Sequence, residues 1–126
     1  MMQLVAHNGH NLVSGPTFFA DHKHFGKLYE TYTEAYDAVV EKCIGLGLPL
    51  DLQEVTQEAG MAASAATSES LQDPIKGFTL VLKLEAQLIA LVEKLDADAN
   101  YGTKNFLQGL ADQADDRCYQ LKQRLK

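Results

Sequence analysis

The chain has 126 residues, enough for one domain with a core of its own, and its 46% apolar and 22% charged fractions are those of an ordinary globular protein. A formal net charge of −6 sets the average surface against nucleic acid and anionic membrane. No apolar run approaches the roughly 20 residues of a membrane span, and Met1–His10 has neither the basic start nor the long apolar stretch of a signal peptide. A single cytoplasmic domain over residues 1–126 is therefore expected. Cys43 and Cys118 form no CxxC pair and are expected as reduced, buried, small apolar residues.

Residues 1–12 read as a short first helix, weakened by Gly9. Ser14-Gly15-Pro16 then marks a strong helix start, with proline where a missing N–H costs nothing. From there Phe18, His22, Phe25, Tyr29, Tyr32, Tyr36, Val39 and Cys43 recur every three or four residues, one continuous helical stripe to about Gly45. Gly45 and Gly47 supply the stop. At nearly thirty residues this helix exceeds the globular average and suggests a bundle. Leu48 to Gln72, rich in Ala and Ser, is too long for a tight hairpin. It reads as a crossing connection with one short helix near Leu52–Met61, which allows the flanking helices to run parallel.

A further long helix opens near Asp73-Pro74, with the stripe Phe78, Val81, Leu82, Leu84, Leu88, Ile89, Leu91, Val92 and Leu95. The last follows Asn100-Tyr101-Gly102-Thr103, with Phe106, Leu107, Leu110, Ala114, Cys118, Leu121 and Leu125. Arg117, Lys122, Arg124 and Lys126 gather towards its C-terminus, where positive charge suits the helix dipole. The expected fold is all-α: a four-helix bundle with a long crossover between the second and third helices and a shortened first helix.

All four histidines, His7, His10, His22 and His24, lie in the first 24 residues. At 100° per residue, His22 and Asp37 differ by a net angle of about 60°, and Glu41 lies one turn beyond Asp37, so the three share a face of one helix. Along the axis His22 and Asp37 are about 22 Å apart, too far for one metal ion. A site using all three requires two chains, and an antiparallel two-fold pairing of this helix would bring His22 of one beside Asp37 and Glu41 of the other, twice over. Imidazole and carboxylate without thiolate suit iron or manganese better than structural zinc. On spacing alone, Asp37 and Glu41 are as readily a solvated helix face, and His22 a satisfied core residue.

Beyond spacing, the chain carries, in this order, His10, Gly15-Pro16-Thr17-Phe18, His22, Asp37-Ala38-Val39-Val40-Glu41-Lys42 and Leu46-Gly47. This series resembles the signature of the mini-ferritins of the DNA-protection-during-starvation (Dps-like) family, within the ferritin-like superfamily. Thr103-Lys104-Asn105-Phe106-Leu107, Asp115 and Tyr119 extend the likeness, which is weak across 48–75. The resemblance implies a ferroxidase site between two subunits, with His10 and His22 from one chain and Asp37 and Glu41 from the other. It also implies iron, Fe2+ and Fe3+, as the metal, hydrogen peroxide or dioxygen as oxidant, and a homo-oligomer, a dodecameric shell built from two-fold dimers. Such a protein oxidises and sequesters iron and so suppresses damage by iron and peroxide.

Departures from the pattern carry their own expectations. Nine residues precede His10, fewer than in most members, so the first helix is short; no basic tail for gripping DNA is read there. Asn11 stands where the family has tryptophan, so an aromatic that intercepts stray oxidising equivalents would be Tyr29, Tyr32 or Tyr36. The alternative reading is a ferritin-like shell or DNA-associated structural protein with a weak or silent metal site. DNA binding itself is not favoured, having only the cations of the last helix for it. Asp21 and His24 point away from His22 and are expected at the surface. His7 is expected exposed, its alternative being a metal chelate with His10. Glu85 falls in the apolar sector of its helix and so needs a buried partner. Asp96, Asp98, Asp112, Asp115 and Asp116 read as a solvated face or, in a shell, a lining that attracts Fe2+.

Overall fold

The computed structural model describes all of residues 1–126 and contains six helices and no strand. In chain order they are α1 (Met2–Leu12), α2 (Phe18–Gly45), α3 (Leu52–Ala63), α4 (Ser68–Gln72), α5 (Pro74–Asp96) and α6 (Tyr101–Arg124). The all-α expectation holds, and α1 has 11 residues against 28, 23 and 24 for α2, α5 and α6. The crossover is more regular than its Ala/Ser composition suggested. It contains α3 where one short helix was expected, and α4 as well.

Short polar side chains start these helices by accepting from otherwise orphaned N–H groups. Asp51 accepts from the N–H groups of Gln53 and Glu54 at α3, Thr67 from Ser70 at α4, Asp73 from Ile75 and Lys76 at α5, and Asn100 from Thr103 at α6. Pro16 sits in the turn just before α2 rather than in its first turn. At the far end of α2, Gly47 takes a left-handed φ of 69° and closes the helix by donating to Ile44.

The chain forms two compact units, Met1–Gly77 and Phe78–Lys126, divided just inside α5. In the first, α1 packs mainly on α2, with further contacts to α3 and α4. Ring contacts pair His7 with Tyr29 and His10 with His22, so the two helices run antiparallel. Gly15, at φ 109°, makes the reversal that lets them do so. The loop is tied down by the Ser14 N–H donating to the Gln72 carbonyl at 3.1 Å. Phe25 is fully buried in this unit. A Cβ at Gly9 would stand 2.6 Å from its ring, and one at Gly77 2.9 Å. Gly9 is thus more than a weak point in α1: its bare backbone is the surface that Phe25 packs on.

The stripe on α2 is buried only in part. Phe25, Leu28 and Tyr32 are buried, whereas Tyr36 and Val39 are exposed and Cys43 is half-buried. Length explains the difference, since α1 spans about 16 Å and α2 about 42 Å, so α1 cannot cover the second half.

In the second unit Phe78, Val81, Leu84, Val92, Leu107, Ala114, Cys118 and Leu121 are buried, while Leu91 and Leu95, expected in the core, are exposed. Glu85 is fully buried and Arg117 nearly so. Arg117 Nε donates to Glu85 Oε1 at 2.6 Å and Nη2 to Oε2 at 3.1 Å, a planar fork on both carboxylate oxygens. The partner that Glu85 required is therefore Arg117, which is not among the surface cations at the end of α6. Arg124 lies over the Phe78 ring, 5.8 Å from its centroid. These pairs make α5 and α6 antiparallel.

Candidate metal centre

His10 occupies the last turn of α1 and His22 the second turn of α2. Because the helices are antiparallel and joined by a short loop, the two rings meet, stacked with centroids 3.7 Å apart and 26° between planes. Each ring also bonds to the other residue's backbone. The distance from His10 Nδ1 to the His22 carbonyl is 2.9 Å, and from His22 Nδ1 to the His10 carbonyl 2.6 Å. A carbonyl oxygen only accepts, so each Nδ1 carries the proton and donates. In the neutral rings each Nε2 then presents its lone pair, the state in which imidazole binds a metal. An Nδ1–H held by a backbone carbonyl is also the usual way a ligating imidazole is oriented.

The surroundings reinforce this placement. Phe18, one turn before His22, stacks on it with centroids 5.0 Å apart and meets Phe19 edge-on. His22 thus stacks with two rings, those of His10 and Phe18. His7 is exposed as expected and lies flat on Tyr29, at 4.2 Å and 12°, in a separate stack from that of His10 and His22. Asp21 departs from expectation. It is buried at 1% exposure and accepts from Thr17 Oγ1 at 2.5 Å, where an acid in the first turn also complements the helix N-terminus. His24 is half-buried rather than at the surface.

Asp37 and Glu41 are exposed, on the part of α2 beyond the reach of α1. Within one chain no three His, Cys, Asp or Glu side chains converge to hold an ion. The structure therefore brings His10 and His22 together and leaves Asp37 and Glu41 apart from them, as the 22 Å separation along α2 dictates. Of the candidate radical-intercepting tyrosines, Tyr32 is buried, Tyr29 is covered by His7 and Tyr36 is exposed.

Cys43 and Cys118 are both free thiols. Burial pushes the Cys118 thiol up from its ordinary pKa, and the nearby Glu85 carboxylate adds to the push.

The sequence matches the family model of the ferritin-like domain (Ferritin) over residues 2–126. The chain belongs to the ferritin-like domain family. No curated protein and no solved structure matches it. Membership agrees with the all-α architecture and supports a ferritin-like, iron-related role in general. No helix of this ferritin-like chain is long and apolar enough to cross a membrane.

Proposed function

We propose that this is an iron-oxidising, iron-sequestering mini-ferritin of the Dps-like kind, with a ferroxidase site shared between two subunits of a homo-oligomer. His10 and His22 of one chain hold ferrous iron through Nε2, and Asp37 and Glu41 of its two-fold mate complete the site and favour the harder ferric product. The reciprocal His10–His22 bonds carry this reading, because they orient two imidazoles as ligands in a chain that offers no third donor beside them. Asp37 and Glu41 support it from the other side as two adjacent, exposed carboxylates on a helix face that α1 leaves open.

A two-fold axis midway between His22 and Asp37 also sets Phe19 opposite Val40. Phe19 is 87% exposed in the single chain, a large apolar ring that such a contact would cover. In the reaction iron and peroxide are substrates. Two ferrous ions each give one electron to the O–O bond of hydrogen peroxide, which takes up two protons and leaves as two waters. The ferric product is then retained as mineral inside the shell, for which a dodecamer of six two-fold dimers is the proposed form. The whole of 1–126 acts as one ferritin-like domain in this reading.

The test is ferric-product formation from Fe(II) and peroxide, followed by absorbance. The wild-type chain is expected to exceed the His22→Ala, Asp37→Ala variant by at least tenfold. Equal rates would remove the proposal.

A further inference from the structure

Gly26 lies in the interior of α2, where glycine costs a helix stability relative to alanine. Its φ is negative, so the backbone does not require glycine. Nor is it a core contact of the Gly9 kind, where the missing side chain admits Phe25. A Cβ at Gly26 would meet the His10 ring, 3.0 Å from Nδ1 and 3.3 Å from Cε1. Nδ1 is the atom that donates to the His22 carbonyl. Both are closer than ordinary van der Waals contact, so the ring would have to withdraw by a few tenths of an ångström. The ring is also stacked on His22, which Phe18 contacts in turn. Moving the His10 ring therefore loosens both its hydrogen bond and the stack.

We infer that Gly26 is a positioning residue for the imidazole pair: the space of its absent side chain is where the His10 ring stands, and α2 gives up helix stability to keep that space. This rests on the reading of His10 and His22 as metal ligands. Gly60 and Gly109 are the internal controls, being helical glycines whose Cβ would meet nothing within 4 Å. Alanine at either should stabilise the protein and leave the imidazoles untouched.

The experiment compares the full-length wild type, Gly26→Ala and Gly109→Ala by imidazole 15N NMR, thermal unfolding and titration with Co2+, an air-stable divalent probe that accepts imidazole. In the wild type and Gly109→Ala, His10 gives the Nδ1–H tautomer signature. In Gly26→Ala that signature is lost for His10, and Co2+ binds about 10–100-fold more weakly, the usual loss when a ligand's orienting bond is broken. A double-mutant cycle guards against a trivial folding defect. In a His10→Ala background the ring is gone, so Gly26→Ala should raise Tm by about 3–5 °C, as Gly109→Ala does, and by clearly less when His10 is present. Unchanged His10 nitrogen shifts in Gly26→Ala, or the same Tm gain with and without His10, would overturn the inference. If the wild type binds no Co2+, the ferroxidase reading falls, and the nitrogen resonances and the cycle still decide the role of Gly26.

Discussion

The shared site can be tested by crippling two chains in different halves and mixing them. One variant is His10→Ala, His22→Ala; the other is Asp37→Ala, Glu41→Ala. Along α2, His22 and Asp37 are separated by about 22 Å, whereas ligand-to-metal bonds are about 2 Å. No single chain can close that gap, so each variant alone lacks half of every site and should be inactive. In a mixed two-fold dimer the two sites become unequal. One combines both mutated halves and is dead. The other combines intact imidazoles from one chain with intact carboxylates from its mate. With random pairing at equal amounts, half the dimers are mixed and each regains one site in two, so about a quarter of the wild-type sites return. The fraction depends only on pairing within dimers and is the same whatever the size of the shell. The variants, carrying different affinity tags, are co-refolded. Doubly tagged material confirms mixing, and initial rates of Fe(II) oxidation by peroxide are compared with those of wild type and of each parent. Confirmed mixed dimers with no recovered rate would refute the two-chain arrangement, as would a parent variant that keeps the wild-type rate.

Further outcomes follow from the packing. Arg117→Met leaves the Glu85 carboxylate buried without its cation and should cost about 3–5 kcal/mol, read from urea unfolding; a loss under 1 kcal/mol would mean that water reaches Glu85. Gly9→Ala should destabilise by about 1–3 kcal/mol through collision with Phe25, against the gain alanine gives at an open helical site, and the lowered Tm should recover in part with Phe25→Leu. Because the Cys118 pKa is raised, its reactive thiolate forms only at a higher pH than in a free thiol. Its alkylation by iodoacetamide should therefore set in at higher pH than that of a cysteine peptide, and mass spectrometry after digestion measures this directly. Val40→Lys places a charge opposite Phe19 of the mate in the proposed pairing and should shift the protein towards monomer in sedimentation velocity, with helix content unchanged.

All the helices but α4 were legible in the sequence, because each is written locally. The stripe from Phe18 to Cys43, the helix starts at Asp73 and Asn100, and the glycine at 47 all act within a few residues of where they stand. The 22 Å separation of His22 from Asp37 was equally legible, since helix rise depends on nothing but residue count. What no local pattern carries is which side chains meet across elements. The burial of Glu85 implied a partner, but only the antiparallel run of α5 and α6 makes it Arg117. His10 and His22, 12 residues apart on different helices, are brought into a mutual hydrogen-bonded stack by the reversal at Gly15. Asp21 and Gly26 were misjudged or passed over for the same reason, because an acid's burial and a glycine's purpose depend on what α1 presents to α2. Tertiary structure decided those contacts because a side chain's surroundings are set by neighbours distant in sequence, whereas the path of a helix is set by its own residues.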